Sequence, residues 1–182
     1  SGGNGWMGVG WDLSQRAVTI ETRWGVPRYD SAKETETYLL DGEQLTPVAH
    51  RGALQARTAE KIFYTRVEGQ FRKIIRHGSS PANYWWEVID KNGTRSIYGG
   101  NLATQSQDAT ATLKTGGGKV FRWALREVRD LNGNRMTYAY DTVNDVGVEG
   151  GNQLARRRVV SATSAATGRA ASAACARSSA AS

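Results

Sequence analysis

An all-β fold, built of successive antiparallel hairpins that form a curved sheet or shell segment, is predicted by three features of this 182-residue sequence. Aromatic β-formers are frequent, with six Trp and seven Tyr, and 21 Gly supply turn positions. A hairpin phrase is also written twice. EVIDKNGTRSIYG from Glu87 and EVRDLNGNRMTYAYD from Glu127 share E-V-x-D-x-N-G-x-R-x-x-Y at an offset of 40 residues. Asn-Gly between β-prone runs is the strongest short-range hairpin signal, because both residues tolerate the positive φ of a type I′ turn. Asn92-Gly93 and Asn132-Gly133 are therefore expected to turn two hairpins and set their register. Two copies are fewer than a repeat array needs, so duplication and turn chemistry alone both explain the echo.

The elements follow in order. After a Gly-rich opening, Val18 and Ile20 alternate with Thr19 and Glu21, as in a half-buried strand. GVPRYD turns the chain. In TYLLDGEQLTPV, Asp41-Gly42 separates two apolar runs as a hairpin turn does, and Pro47 confines the second strand to an edge or an early end. Residues 61–75 place Glu68-Gly69 between two further β-prone runs, and HGSSPAN loops to the first copy of the phrase.

There, Tyr84, Trp85 and Trp86 run consecutively and put large aromatics on both faces of one strand, so the second face needs a cover or a ligand. Stacking on a carbohydrate is the ligand reading, and packing is the structural one. NLATQSQDATATLKTGGGK is a polar loop or frayed hairpin. In the second copy Phe121, Trp123 and Leu125 share one face, Arg122, Ala124 and Arg126 the other, and Met136, Tyr138 and Tyr140 continue an apolar face.

Composition divides the chain into a β-rich domain, 1–150, and an Ala/Ser/Arg-rich tail, 151–182, expected to be disordered or weakly helical. The division also disposes of the basic charge. The chain carries a formal +7, but residues 151–182 hold five Arg and no acid; 24 basic residues less 5 leaves 19 against 17 acidic. No nucleic-acid footprint remains in the first 150 residues. One cysteine, Cys175, has no partner for an internal disulfide, and His50 and His77 lack zinc-ligand spacing, so no metal is expected. No apolar run reaches the length of a membrane span, and the first residues lack the pattern of a signal peptide. A chain that starts with Ser is expected to be an excised piece.

Motifs for chemistry are weak. Gly3, Gly5 and Gly8 match G-x-G-x-x-G without the strand and helix that a dinucleotide loop needs, and GGGK at Gly116–Lys119 lacks the rest of a phosphate loop, so no cofactor is expected. Asn92-Gly93-Thr94 spells a glycosylation sequon that the turn already explains. Glu34 and Glu36 form the E-x-E pair that ADP-ribosyltransferases use, but the upstream Arg and STS strand of such a site have no room, and a solvated loop is expected. No G-x-S-x-G is present, and no catalytic residue is assigned.

The blocks GNGWMGVGWDLS, GVPRYD, YLLDGEQLTPV, YTRVEGQFRKIIRHG, YWWEVIDKNGTRSIYG and WALREVRDLNGNRMTYAYD, in that order from Gly3 to Asp141, resemble the N-terminal domain of the Salmonella virulence plasmid B protein (SpvB) family. The B components of bacterial Tc insecticidal toxin complexes share that domain. Tyr138-Ala139-Tyr140-Asp141 is also similar to the Y-x-Y-D of Rhs and YD repeats. The resemblance implies a non-enzymatic, secreted toxin module that helps build a β-sheet shell around a C-terminal effector. Its partners would be the rest of the same polypeptide and other toxin-complex subunits, with a glycan or receptor as the alternative and no direct insertion into a membrane. In such proteins the transferase is a separate C-terminal domain, so none of its active-site residues has a counterpart here. After about Arg158 the text departs from the family pattern, as a shifted reading frame of GC-rich DNA would.

Overall fold

A computed structural model describes residues 16–47, 54–66 and 71–140 in full, and the backbone alone of residues 4–5, 8–9, 141–144, 153–163 and 170–171. Strands dominate. They are β1 (Asn4–Gly5), β2 (Gly8–Val9), β3 (Ala17–Ile20), β4 (Tyr38–Leu40), β5 (Glu43–Pro47), β6 (Glu60–Thr65), β7 (Lys73–His77) and β8 (Trp85–Ile89). There follow β9 (Arg95–Tyr98), β10 (Gly100–Asn101), β11 (Ser106–Gln107), β12 (Thr112–Lys114), β13 (Val120–Arg129), β14 (Arg135–Asn144), β15 (Gln153–Thr163) and β16 (Ala170–Ala171). The described residues contain no α-helix; a single 3-10 turn, Ala109–Ala111, is capped by Asp108, whose carboxylate accepts the N–H of Thr110 at 2.9 Å.

All pairings are antiparallel, and β3 to β9 follow one another in order around a curved wall. The ten-residue β13 closes the wall into a barrel. Its first half pairs with β3 over Arg122–Ala124, and its second half pairs with β9 over Leu125–Arg129, across a bulge between Leu125 and Glu127. Closure removes the open edges that a seven-stranded sheet would otherwise present. From β13 the sheet also runs outward through β14, β15 and β16, so β13 belongs both to the barrel and to a projecting wing. Strand β15 lies beyond residue 150 and holds Arg156–Arg158 in register with Asp141–Ala139 of β14.

Alternation fills the barrel. Val18, Ile20, Tyr38, Leu40, Leu45, Phe63, Ile74, Trp86, Val88, Tyr98, Trp123 and Leu125 are buried in one cluster. At its centre Tyr38, Phe63, Trp86 and Trp123 meet edge to face or tilted, with centroids 4.7 to 5.9 Å apart. Tyr138 and Tyr140 are buried as well, whereas Phe121 and Met136, at the outer ends of the same apolar stripes, are 38% and 40% exposed.

The turns differ from the expected geometry. At Asp41-Gly42, φ is +51° and +89°, and Leu40 pairs with Glu43, which is a two-residue type I′ turn. At the two Asn-Gly sites only the glycine has positive φ, +81° at Gly93 and +82° at Gly133. Asp90 pairs with Thr94 and Asp130 with Asn134 through backbone bonds, so each loop has three residues, a type I turn closed by a left-handed glycine. The reason lies in the preceding acid and the extra residue. Asp130 Oδ1 accepts the N–H of Asn132 and of Asn134, and Asn92 Oδ1 accepts the N–H of Thr94, which holds both Asn residues outside the left-handed region. The Glu68-Gly69 turn, Trp6, Trp11, His50 and Cys175 lie outside the described residues.

Candidate functional site

The hairpin turns gather at one end of the barrel, and the long connections gather at the other. Across that second mouth run two extended segments, 30–37 and 54–58, joined to each other by the Lys33–Ala56 bridge. Glu34 N–H donates to Gln55 O at 2.8 Å, and Arg57 N–H donates to Ala32 O at 2.9 Å. Beneath them Arg76 projects inward from β7. It is in phase with Ile74 and opposite Trp86, so the alternation that buries Ile74 also buries a guanidinium.

Arg76 is fully buried and lies 3.9 Å from the Tyr84 ring centroid, with Phe63 and Tyr38 at 5.8 and 5.9 Å. It donates two 2.6 Å bonds to the two carboxylate oxygens of Glu34. Arg57, from the second segment, donates to Glu36 Oε1 at 2.8 Å, to the Tyr84 hydroxyl at 3.3 Å and to the Asp30 carbonyl at 2.6 Å. The side chains of Glu34, Glu36, Arg57 and Arg76 are 7%, 0%, 4% and 0% exposed, so the E-x-E pair does not sit in a solvated loop.

Electrostatics keeps Glu34, Arg57 and Arg76 charged. Burial pushes the Glu34 carboxyl up, but the double bond from Arg76, with Lys61 and Arg57 nearby, holds it below the ordinary carboxylate range. Burial opposes charge on the arginines too, yet the bonds to Glu36 and Tyr84 raise Arg57, and the bonds to Glu34 raise Arg76. Burial also raises the phenols of Tyr38 and Tyr84. Both oxygens of Glu34 and one oxygen of Glu36 are paired with guanidiniums that keep their protons, and Glu36 Oε2 is buried without a hydrogen-bond partner. A cleft of about 280 Å³ opens beside it between Glu34–Tyr38 and Gln44–Pro47, where the pairing of β4 with β5 covers two residue pairs. No group of three or more His, Cys, Asp or Glu able to hold a metal occurs among the described residues.

Of the residues singled out in the sequence, Glu34, Glu36 and Tyr84 belong to this cluster and the others lie apart from it. Tyr84, Trp85 and Trp86 are 0%, 3% and 0% exposed. Tyr84 stacks on Arg76, and its carbonyl accepts from Trp123 Nε1 at 2.6 Å and from Gln107 Nε2 at 2.8 Å. Trp86 fills the barrel. Trp85 takes the outer face, where the His77 ring stacks on it at 4.1 Å and Gly100 approaches so closely that a Cβ there would lie 2.6 Å from the indole. Asp41-Gly42, Asn92-Gly93 and Asn132-Gly133 sit at the opposite end, and Asp41 ties its turn to β3 by accepting from Ala17 N at 2.9 Å and Arg16 Nε at 3.2 Å. Arg57 and Arg76, the partners that bury Glu34 and Glu36, were not read from the sequence. The available signal was Arg76 itself, an arginine in phase with Ile74 in KIIRH, which requires an acidic partner.

The family description "Salmonella virulence plasmid 65kDa B protein" matches residues 1–170. The chain belongs to this family. The match runs past Arg158, where the text was expected to leave the SpvB pattern. Among curated SpvB relatives, the mono(ADP-ribosyl)transferases SpvB of Salmonella typhimurium (strain 14028s / SGSC 2262) and Salmonella choleraesuis (strain SC-B67) are 27% identical over 175 residues. That alignment takes in 86% of this chain and 28% of each relative, so the chain spans less than a third of their length. Among solved structures, the N-terminal domain of effector protein SpvB from Salmonella typhimurium strain LT2 is similar with a TM-score of 0.65 at 22% identity, over 91% of this chain and 57% of that one. The Photorhabdus luminescens Tc holotoxin pore carrying TccC3-D651A is similar with a TM-score of 0.65 at 20% identity, over 89% of this chain and 8% of that one. The TcdB2–TccC3 complex gives a TM-score of 0.60 at 19% identity, over 85% and 8% of the two chains. SpvB N-terminal domains and a region of Tc toxin chains thus share this fold.

Proposed function

We propose that the chain is a non-enzymatic structural module of a toxin-associated polypeptide, contributing curved β wall to a shell or scaffold for export and delivery of a C-terminal effector. The observation that supports it most is the double membership of β13, which seals a barrel on one side and carries a wing of further strands on the other. A module of this kind joins larger sheets, as a shell segment must. The inward polar side chains at the barrel mouth are tied to one another, which suits construction better than turnover. The resemblance to SpvB N-terminal domains carries this region of the family and not a transferase. Its partners are then the remainder of the same polypeptide and other toxin-complex subunits, and its location is secreted. The test is an NAD hydrolysis and ADP-ribosyl transfer assay on the purified chain; turnover above a heat-treated control overturns the reading.

A second reading, recognition of a glycan or receptor, is favoured by one feature. Trp24 and Val26, at the tip of the loop after β3, are 91% and 90% exposed. A glycan array probed with the protein and with Trp24→Ala separates the two readings: binding lost on substitution supports recognition, and no binding by either leaves the structural role standing.

A further inference from the structure

We propose that segments 30–37 and 54–58 form an ion-latched lid over the barrel mouth, released by acid while the barrel beneath stays folded. Surface segments are ordinarily held by buried apolar side chains. These are not. Their sequences are DSAKETET and LQART; Ala32, Leu54 and Ala56 are exposed, and the side chains that do point inward are Glu34, Glu36 and Arg57. Side chains join lid to wall by the pair of 2.6 Å bonds from Arg76 to Glu34, the 3.3 Å bond from Arg57 to Tyr84 and a 3.4 Å bond from Arg76 to Thr58 O, beside one backbone bond at the end of the lid, from Glu21 N–H to Thr37 O at 2.9 Å. The middle of the lid, around Glu34 and Arg57, is therefore attached through charge.

The titratable and charged groups around the latch are Asp30, Lys33, Glu34, Glu36 and Arg57 from the lid, Tyr38 from β4, Lys61 from β6, Arg76 from β7, and Tyr29 and Tyr84 from the adjoining connections. Of these, Glu34 is the carboxylate bonded to the wall and gains a proton on acidification, while the guanidiniums keep theirs. Glu34 titrates below the ordinary carboxylate range in the closed form, so its contribution to closure is complete above that range and is lost as pH falls through the lowered value. Once Glu34 is protonated, Arg76 is a buried cation without a counter-charge, and the least costly remedy is for the lid to lift and admit water. Lifting bares the Tyr84 face on which Arg76 rests and the ring edges of Tyr38 and Phe63.

Hydrogen exchange on the whole chain tests this. The reporters are the lid amides of Glu34 and Arg57 against the barrel amides of Val88 and Ile97, corrected for intrinsic rates at each pH. Lowering the pH through the carboxylate range is expected to speed the lid amides relative to the barrel amides by about a hundredfold or more, the scale of losing one partner of a buried pair. Glu34→Gln is expected to do the same at neutral pH, whereas Glu127→Gln, an acid on β13 bonded to Arg129, leaves the ratio unchanged. If Glu34→Gln does not fold, the acid titration of the unaltered protein decides. Lid and barrel amides losing protection together, or lid amides unmoved by acid, would overturn the proposal.

Discussion

Arg76 and Glu34 illustrate how one residue's chemistry binds another 42 positions away. Removing one partner leaves the other buried and unpaired, so Glu34→Gln or Arg76→Met alone is expected to cost about 3–5 kcal/mol in urea unfolding. The double variant Glu34→Gln/Arg76→Met, which leaves no charge unpaired, should recover most of that loss; a simply additive double variant contradicts the coupling. Gly93 presents a second residue-scale case. Its φ of +81° strains any side chain, and a Cβ there would meet Leu131 at 2.7 Å, because the turn of the first hairpin rests on the turn of the second. Gly93→Val is expected to lower stability by about 1–3 kcal/mol, with Gly133→Val, at +82°, losing at least the strain component. Unchanged thermal melts for both would contradict the packed-turn geometry.

Among the elements, β13 bears the most. Its neighbours are β3 and β12 over the first half and β9 and β14 over the second, so it is paired on both edges at Arg122–Trp123 and again at Glu127–Arg129. Val128→Pro removes a ladder N–H from a doubly paired strand and is expected to abolish the cooperative melt followed by circular dichroism. The wing is fastened to the barrel by Arg126, which donates to Asp108 Oδ2 at 2.7 Å and to the Tyr138 carbonyl at 2.8 Å. Much of this was legible in the sequence where the signal is local. Val18 and Ile20 alternate, Asp41-Gly42 turns a hairpin, and Trp123 and Leu125 face inward, each argued from neighbours two residues apart. The burial of Glu34 and Glu36 was not legible, because their partners Arg57 and Arg76 lie 21 to 42 positions away and the flanking Thr35 and Thr37 read as loop. The turn type at Asn92-Gly93 differs for another reason: the dipeptide carries the I′ signal, while the backbone pairing of Asp90 with Thr94 leaves three residues in the loop instead of two.

At the scale of the whole molecule, the charge inside the barrel and along its walls sets the response to pH. The carboxyls of Glu34, Glu87 and Asp108 all lie below their ordinary values: Glu34 and Asp108 against an upward push from burial, Glu87 chiefly through its bond to His77. Groups lowered on folding add stability that is complete above the ordinary carboxylate range and lost as pH falls through their folded values. The melting temperature is therefore expected to hold between about pH 7 and pH 5 and to drop steeply towards pH 3. A flat profile to pH 3 would mean that these pairs contribute nothing. The closure by β13 has a further consequence, for the order of events as the chain emerges from the ribosome. Val18 finds its partner in Trp123, 105 positions later, so strands β3 to β9 must wait as an open sheet with a bare edge until nearly the whole barrel has been synthesised. Such long-range pairing folds slowly and leaves the unfinished sheet prone to pairing with other chains. Chains halted before Val120 should accordingly gather on chaperones or aggregate, and those extended past Arg129 should come free.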